Sequence, residues 1–215
     1  MAMHPGSIDR QKGIVALATF LIDLSPTDMA QRLHDALSVY VDAMRYPRGT
    51  EGQRAAMWLE HTRRQGWKAV AAVEADTAPA AEPGAAQLSA APLLGIAYGY
   101  CGAPDQWWQQ QVVAGLHRIG VPAEEIGRLT SSYFELTELH IHPSAQGRGL
   151  GEALARRLLA DRGESHVLLS TPEIVGEANR AWRLYRRLGF TDVIRGYHFA
   201  GDPRAFAILG RSLPL

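Results

Sequence analysis

Glu138-Leu-His-Ile-His-Pro-Ser-Ala-Gln-Gly-Arg-Gly-Leu-Gly-Glu152 decides how this chain is read, together with the Ala153-Leu-Ala-Arg-Arg-Leu-Leu159 that follows it. An apolar strand ends at Pro143. A short turn follows, with glycine at the alternating positions Gly147, Gly149 and Gly151, and a helix opens at once. Glycines leave the backbone N–H groups of such a turn unobstructed. The helix start adds further unpaired N–H groups and the positive end of its dipole. The arrangement is a cradle for a pyrophosphate.

Two common phosphate motifs do not fit. A Walker loop ends in Gly-Lys-Ser/Thr, whereas this turn ends in Leu150-Gly151-Glu152. A dinucleotide fingerprint opens an alternating βαβ chain and has an acidic residue at the end of the next strand. This turn lies two-thirds along the chain, and the next strand, near His166–Ser170, runs into Ser-Thr-Pro. A second stretch lies downstream: Asn179-Arg-Ala-Trp-Arg-Leu-Tyr185-Arg-Arg-Leu-Gly189-Phe190. The first stretch resembles the Gln/Arg-x-x-Gly-x-Gly/Ala acyl-coenzyme A loop of the GNAT (general-control-type) N-acetyltransferases, with Gln146, Gly149 and Gly151 at its defining positions. The second resembles that family's next signature: Asn, then a helix carrying Tyr, then Leu-Gly-Phe. Together they cover roughly residues 132–195, in the family's order and at about its spacing.

A chain of 215 residues with 47% hydrophobic residues supports one domain over 1–215 and ample core. Lys+Arg 22 against Asp+Glu 22 gives no net charge, which argues against a general nucleic-acid or membrane-surface binder. From Arg148 onward there are 11 Arg against 7 Asp+Glu, a mild positive bias suited to an anionic cosubstrate. The single Cys101 excludes an intramolecular disulfide and is compatible with a reducing cytosol. The apolar run Ile14–Leu24 is too short to span a bilayer and contains Asp23. A cytoplasmic location is therefore expected.

Hydrophobic spacing divides the chain into elements. Ile14–Ile22 is expected to be a strand, Ser25-Pro26 the start of a helix that ends near Tyr46-Pro47-Arg48-Gly49, Glu51–Gln65 a second helix and Trp67–Glu74 a second strand. Asp76–Pro92 is rich in Ala, Pro, Gly and Glu and is expected to be a mobile hairpin connection. Leu93–Cys101 and Tyr133–His142 are further strands, with an irregular to helical segment, Gly102–Arg128, between them. Helix Gly149–Arg162, strand Val167–Ser170, helix Val175–Leu188 and strands near Phe190–Arg195 and Arg204–Leu209 complete the order. The fold class is α/β (α+β). The resemblance implies the GNAT acyltransferase fold, a mixed, mostly antiparallel twisted sheet with helices on both faces, whose central strands splay to admit the pantetheine arm.

The resemblance implies acetyl-coenzyme A as cosubstrate, held by the backbone N–H groups of Gly147, Arg148, Gly149, Leu150, Gly151 and Glu152, with Gln146 orienting the loop. It implies that Leu139 and Ile141 pair with the pantetheine arm through their backbone, that Asn179 hydrogen-bonds the arm, and that Tyr185 protonates the leaving sulfur. An amine near pKa 10 must lose a proton before it attacks. Two strand carboxylates are candidates for the base. Glu135 and Glu138, three apart, are expected on opposite faces of a regular strand. Counted without gaps from Gln146, Glu135 falls where histone-acetylating relatives carry their glutamate, on the face of Leu139 and Ile141. Glu138 is the second choice, beside His140.

His140 and His142 share a strand face, but no Cys or acidic pattern completes a site, so no metal is expected. Trp107, Trp108, Tyr98, Tyr100 and Tyr46 are candidates for the acceptor pocket or for core, and Cys101 is expected to be buried. The acceptor amine, small molecule or protein lysine or N-terminus, is open, as is a homodimer. A catalytically silent acyl-coenzyme A-binding regulatory module is the competing function. Loss of Tyr185 and of every central-strand carboxylate would mark it, and both features are present.

Overall fold

Among the described residues seven strands form one sheet in the order β1-β2-β3-β4-β5-β7-β6. The computed structural model describes residues 16–77 and 82–215. The strands are β1 (Ala16–Leu24), β2 (Lys68–Thr77), β3 (Leu93–Cys101), β4 (Tyr133–Ile141), β5 (His166–Pro172), β6 (Thr191–Tyr197) and β7 (Phe206–Ser212). All neighbours are antiparallel except β4 and β5, which run parallel. That one parallel pair is brief. It joins Tyr133, Phe134 and Glu135 to His166, Val167 and Leu168, and then the strands part.

Among the described residues eight α-helices cover the two faces: α1 (Pro26–Gln31), α2 (Leu33–Met44), α3 (Gly52–His61), α4 (Ala85–Ala90), α5 (Trp107–Arg118), α6 (Ala123–Thr130), α7 (Leu150–Leu159) and α8 (Arg180–Arg187). On one face, α7 and α8 bury Leu154, Leu158, Trp182 and Leu184 against Ala97, Phe134, Val167 and Leu209. The other face carries two separate cores. Helices α1–α3 pack on β1–β3 around Met29, Trp58 and Tyr98, while α5 and α6 pack on β5–β7 around Val112, Leu168 and Ile208. Alternation along a strand sends neighbours to opposite faces, so Leu168 joins one core and its neighbours Val167 and Leu169 the other. The gap between the two cores on this face lies over β4.

Several expectations are corrected here. The helix expected from Ser25 to near Tyr46–Gly49 breaks at Arg32, which leaves helical geometry (φ −98, ψ 10), and ends at Met44. Its guanidinium donates to the carbonyl oxygens of Ser89 (2.6 Å) and Ala91 (2.7 Å), tying α1 and α2 to α4. Helix α4 lies inside the segment expected to be only loop. Leu88 and Ala91 give it the apolar contact with β2 and β3 that its composition hid. The residues 78–81 of that segment, and Ile14 and Val15 of the first expected strand, lie outside the described residues. The helix expected over 175–188 is a short 3₁₀ turn, Val175–Glu177, and then α8. Positive φ at Gly176 and Glu177 breaks the run, and Asn179 caps the new start by accepting from the N–H of Trp182 at 2.9 Å.

The most consequential correction is a β-bulge. The pairing of β3 with β4 steps from Tyr98↔Glu138 to Gly99↔Leu136, leaving Thr137 as an extra residue. An extra residue resets alternation. Glu135 lies opposite Tyr100 and Glu138 opposite Tyr98, so both carboxylates share the face of α2 and α3. Leu139 and Ile141 lie on the other face, with α7. The expected sharing of a face by Glu135, Leu139 and Ile141 is therefore overturned.

Gly99 makes the bulge sterically feasible. A Cβ there would lie 2.1 Å from the Glu135 carbonyl oxygen and 2.5 Å from the Phe134 ring. Gly99→Ala is expected to destabilise the fold by about 2 kcal/mol or more, as overpacking against backbone does. A denaturant midpoint unchanged from wild type would contradict this account of the bulge.

Candidate active site

Beyond Glu135 the β5-facing edge of β4 has no strand partner among the described residues, and a cleft of about 1330 Å³ occupies the space. The cleft is lined along β4 from Glu135 to Ile141, by the Gln146–Glu152 turn and by α8 residues including Tyr185. The direction of the strand's polar groups follows from its bonds. The N–H of His142 donates to Leu94 O on β3 (2.8 Å), whereas Ile141 O accepts from the side chain of Gln146 (3.1 Å). In an extended strand a residue's N–H and C=O point the same way and alternate between neighbours. Ile141 and Leu139 therefore turn theirs toward the cleft.

The glycine turn has an open backbone. Gly147 (φ 83) and Gly149 (φ 79) adopt the left-handed conformation, and a Cβ on either would project into open space. Among the described residues, the N–H groups of Gly147, Arg148, Gly149, Leu150 and Gly151 have no backbone acceptor. Glu152 departs from expectation. Its N–H donates to Gly149 O at 3.1 Å, so it closes the first turn of α7 instead of facing a ligand, and its carboxylate pairs with Arg156 and Arg187. The Arg148 side chain also turns away, to Thr19 (2.7 Å) and Glu74 (3.1 Å). Gln146 spans the cradle. It donates to Ile141 O and accepts from Arg180 at the start of α8, locking strand, turn and helix together. The turn's free donors and uncrowded glycines fit the diphosphate of a coenzyme A.

On the opposite face the cleft meets the gap between the two helical cores. Glu135 is buried at the last β4–β5 pair, where the strands diverge. Oε1 accepts from the hydroxyl of Tyr100 (3.2 Å) and from Thr137 (3.5 Å), while Oε2 has no hydrogen-bond partner among the described residues. Burial pushes this carboxyl up to about 8, against smaller downward pulls from Tyr100, Arg64 and Thr137. Glu138 is differently placed. Its two oxygens face Arg54 (3.4 Å) and His140 Nε2 (2.5 Å), so its charge is balanced. Tyr185, on the α7–α8 face, is buried against Phe190. Burial, and then the charge of Glu138, raise its phenol above the ordinary value and keep it protonated. His61 also lines the cleft, with Nδ1 3.0 Å from the Tyr98 hydroxyl. Burial and nearby Arg64 lower it to about 4, so it is neutral at physiological pH.

The remaining candidates divide. Trp107, Trp108, Tyr100 and Tyr46 line the cleft, whereas Tyr98 belongs to the core. Cys101, expected to be buried, is half-buried. Its thiol donates to Glu164 at 2.9 Å, and burial and that carboxylate raise it toward the thiol form. His142 turns from His140 to Asp42 (3.4 Å) and Ser144. Among the described residues no three His, Cys, Asp or Glu side chains gather as a metal site. Residues missed from the sequence are Arg54, Met57, His61 and Arg64. They recur on and just past α3 at helical spacing, a stripe legible as one face but not as a cleft wall.

The sheet, parted beside a glycine turn with free N–H groups, frames a cleft suited to an anionic ligand, and comparisons with known proteins identify the family. Residues 105–192 match the acetyltransferase (GNAT) domain family. The chain is 74% identical over 206 residues to a GCN5-like protein acetyltransferase of Mycobacterium tuberculosis, covering 93% of this chain and all of that one. Among solved structures, Arabidopsis thaliana NAA60 in complex with acetyl-CoA is similar at TM-score 0.55 and 16% identity, over 91% of this chain and 99% of that one. The ribosomal-protein-S18-alanine N-acetyltransferase of Escherichia coli is similar at TM-score 0.52 and 16% identity, over 92% and 96%. The chain belongs to the GNAT family of acetyltransferases. No helix among the described residues is long and apolar enough to cross a membrane.

The raised Glu135 carboxyl links folding to pH. The folded state holds this proton up to about 8, while the unfolded chain releases it near 4.5. The group's contribution to stability is thus fully present below about 4.5 and falls as pH rises to about 8, by at most about 1.4 kcal/mol per pH unit. Glu135→Gln removes the titration. Its stability relative to wild type is expected to rise through that window and then level, read from denaturation at a series of pH values. Parallel pH–stability curves would show that Glu135 is ionised in the folded protein.

Proposed function

We propose that this chain transfers the acetyl group of acetyl-coenzyme A directly to a primary amine carried by a protein. The observation that carries the proposal is the continuity of the cleft: a cradle of free N–H groups on one face and a buried, half-unpartnered Glu135 on the other. Bound acetyl-coenzyme A supplies an acetyl thioester, activated for attack by an amine. Gly147 to Gly151 hold its diphosphate, with Gln146 fixing the turn. Leu139 and Ile141 offer strand-like bonds to its arm, and the Asn179 amide N–H₂ donates to the arm while its oxygen caps α8. A protein acceptor is supported by the 74% identical relative, which is named a protein acetyltransferase.

Glu135 is the proposed base. Near pH 8 its free Oε2 accepts a proton from the attacking amine, and Tyr100 and Thr137 hold Oε1 in place. A carboxyl titrating in this range is a far stronger base than an ordinary one. Glu138 has one oxygen on Arg54 and the other on His140, leaving neither free to take the amine's proton. Tyr185, kept protonated by burial, donates to the leaving sulfur. The competing reading as a silent binding module has no comparable support, because it leaves the half-unpartnered Glu135 without a role.

Acetyl-coenzyme A is expected to raise the melting temperature of the wild type. Gly149→Val is expected to abolish the shift, since valine is strained at φ 79 and its Cβ enters the space left for phosphate. Absence of any shift for the wild type would overturn the function. Glu135→Gln is expected to bind acetyl-coenzyme A normally but to lose roughly 10²- to 10⁴-fold in turnover. The limb of the pH–rate profile near 8 should go with it, leaving the amine's own ionisation. Tyr185→Phe is expected to lower turnover by roughly 10-fold or more with normal binding. Unchanged turnover would leave the ring a packing role.

A further inference from the structure

The mouth of the cleft on the α2–α3 face is basic. Four arginines line it: Arg45, Arg54, Arg64 and Arg204. Arg54 is balanced by Glu138, and Arg204 by Asp202 at 2.6 Å. Arg45 and Arg64 have no carboxylate within 4 Å among the described residues. Arg64 stacks over the Tyr100 ring, 4.5 Å from its centroid, beside the hydroxyl that holds Glu135. Arg45 sits just past α2 in the left-handed conformation (φ 57), its side chain exposed. Neither serves the cradle, which lies across the sheet with arginines of its own on α8.

The same mouth exposes two large apolar side chains. Trp107 is 51% exposed and Met57 38% exposed, from α5 and α3, and both line the cleft. A small polyamine would be repelled by unbalanced arginines and would leave these side chains wet. A polypeptide segment crossing the mouth covers them, and carboxylates on that segment meet the arginines. The positive rim also disfavours an ammonium at the mouth, easing the amine toward the neutral form that attacks.

We propose that the acceptor is a lysine in an acidic stretch of a folded or extended protein segment, with neighbouring Asp or Glu residues engaging Arg64 and Arg45. This deepens the function proposed above and rests on it. Arg64 and Arg45 act as specificity residues, and the apolar contact with Met57 and Trp107 is independent of the acceptor's sequence.

The test is a set of lysine peptides that differ only in the flanking residues, all glutamate, all glutamine or all arginine. Acetyl-coenzyme A thiol release and acetylation of the peptide are measured together. The acidic peptide is expected to have a kcat/KM about five- to twentyfold above the neutral one, from one or two partly exposed ion pairs. The advantage should shrink between 0.05 and 0.5 M salt on roughly the scale set by Debye screening. In the Arg45→Glu, Arg64→Glu double variant the order is expected to invert, with the arginine peptide preferred. The ratio of peptides within one enzyme is read, so a lower overall rate does not blur the result. Equal use of all three peptides by the wild type, independent of salt, would overturn the inference and leave the acetyltransferase function standing. Acetylation of none of them, with thermal stabilisation by acetyl-coenzyme A intact, would also overturn it, and would count against the protein acceptor itself.

Discussion

The parting of β4 from β5 after three paired residues is the constraint on which the rest depends. A parallel pair carried to the end of both strands would satisfy the backbone of Leu139 and Ile141 internally. Parting leaves that edge unsatisfied and opens a passage through the sheet. The passage joins two faces that are otherwise sealed by their own cores, α7 and α8 on one side, α2, α3 and α5 on the other. The glycine turn and the buried acid are thus separated by the sheet and connected through it.

The Thr137 bulge sets the chemistry of the second face. It brings Glu135 and Glu138 to one side, where two carboxylates would ordinarily raise each other. The site separates their roles by environment. Glu138 has a cation and an imidazole within reach. Glu135 has one hydroxyl-bonded oxygen and one without a partner among the described residues, both buried, and burial holds its proton to about 8. Such a carboxyl is costly to bury as an anion, a cost that fits a catalytic group better than a structural one.

Much of this was legible in the chain because the signals were local. The Gln146–Gly151 turn and the Asn179–Phe190 stretch announce cradle and helix through residues adjacent in sequence, where glycine has a backbone reason and asparagine a capping one. What was not legible was set by partners far away. Strand periodicity assigns faces only where pairing is regular, and the bulge depends on how β3 meets β4 at Gly99. The α4 helix and the break at Arg32 support each other across nearly 60 residues, so neither segment alone carries the signal. The α3 stripe ending at Arg64 became a cleft wall only once α3 was docked beside Tyr100.

Residue-resolved amide hydrogen exchange along β4 tests the central claim most directly. The N–H groups of Leu139 and Ile141 face the parted edge, whereas that of His140 faces β3. With the protein free, the account predicts fast exchange at Leu139 and Ile141 and slow exchange at His140. Acetyl-coenzyme A should then slow the first two markedly and leave His140 as it was. Equal protection of all three without ligand, or no change at Leu139 and Ile141 at saturating acetyl-coenzyme A, would contradict an open edge that serves as the binding strand.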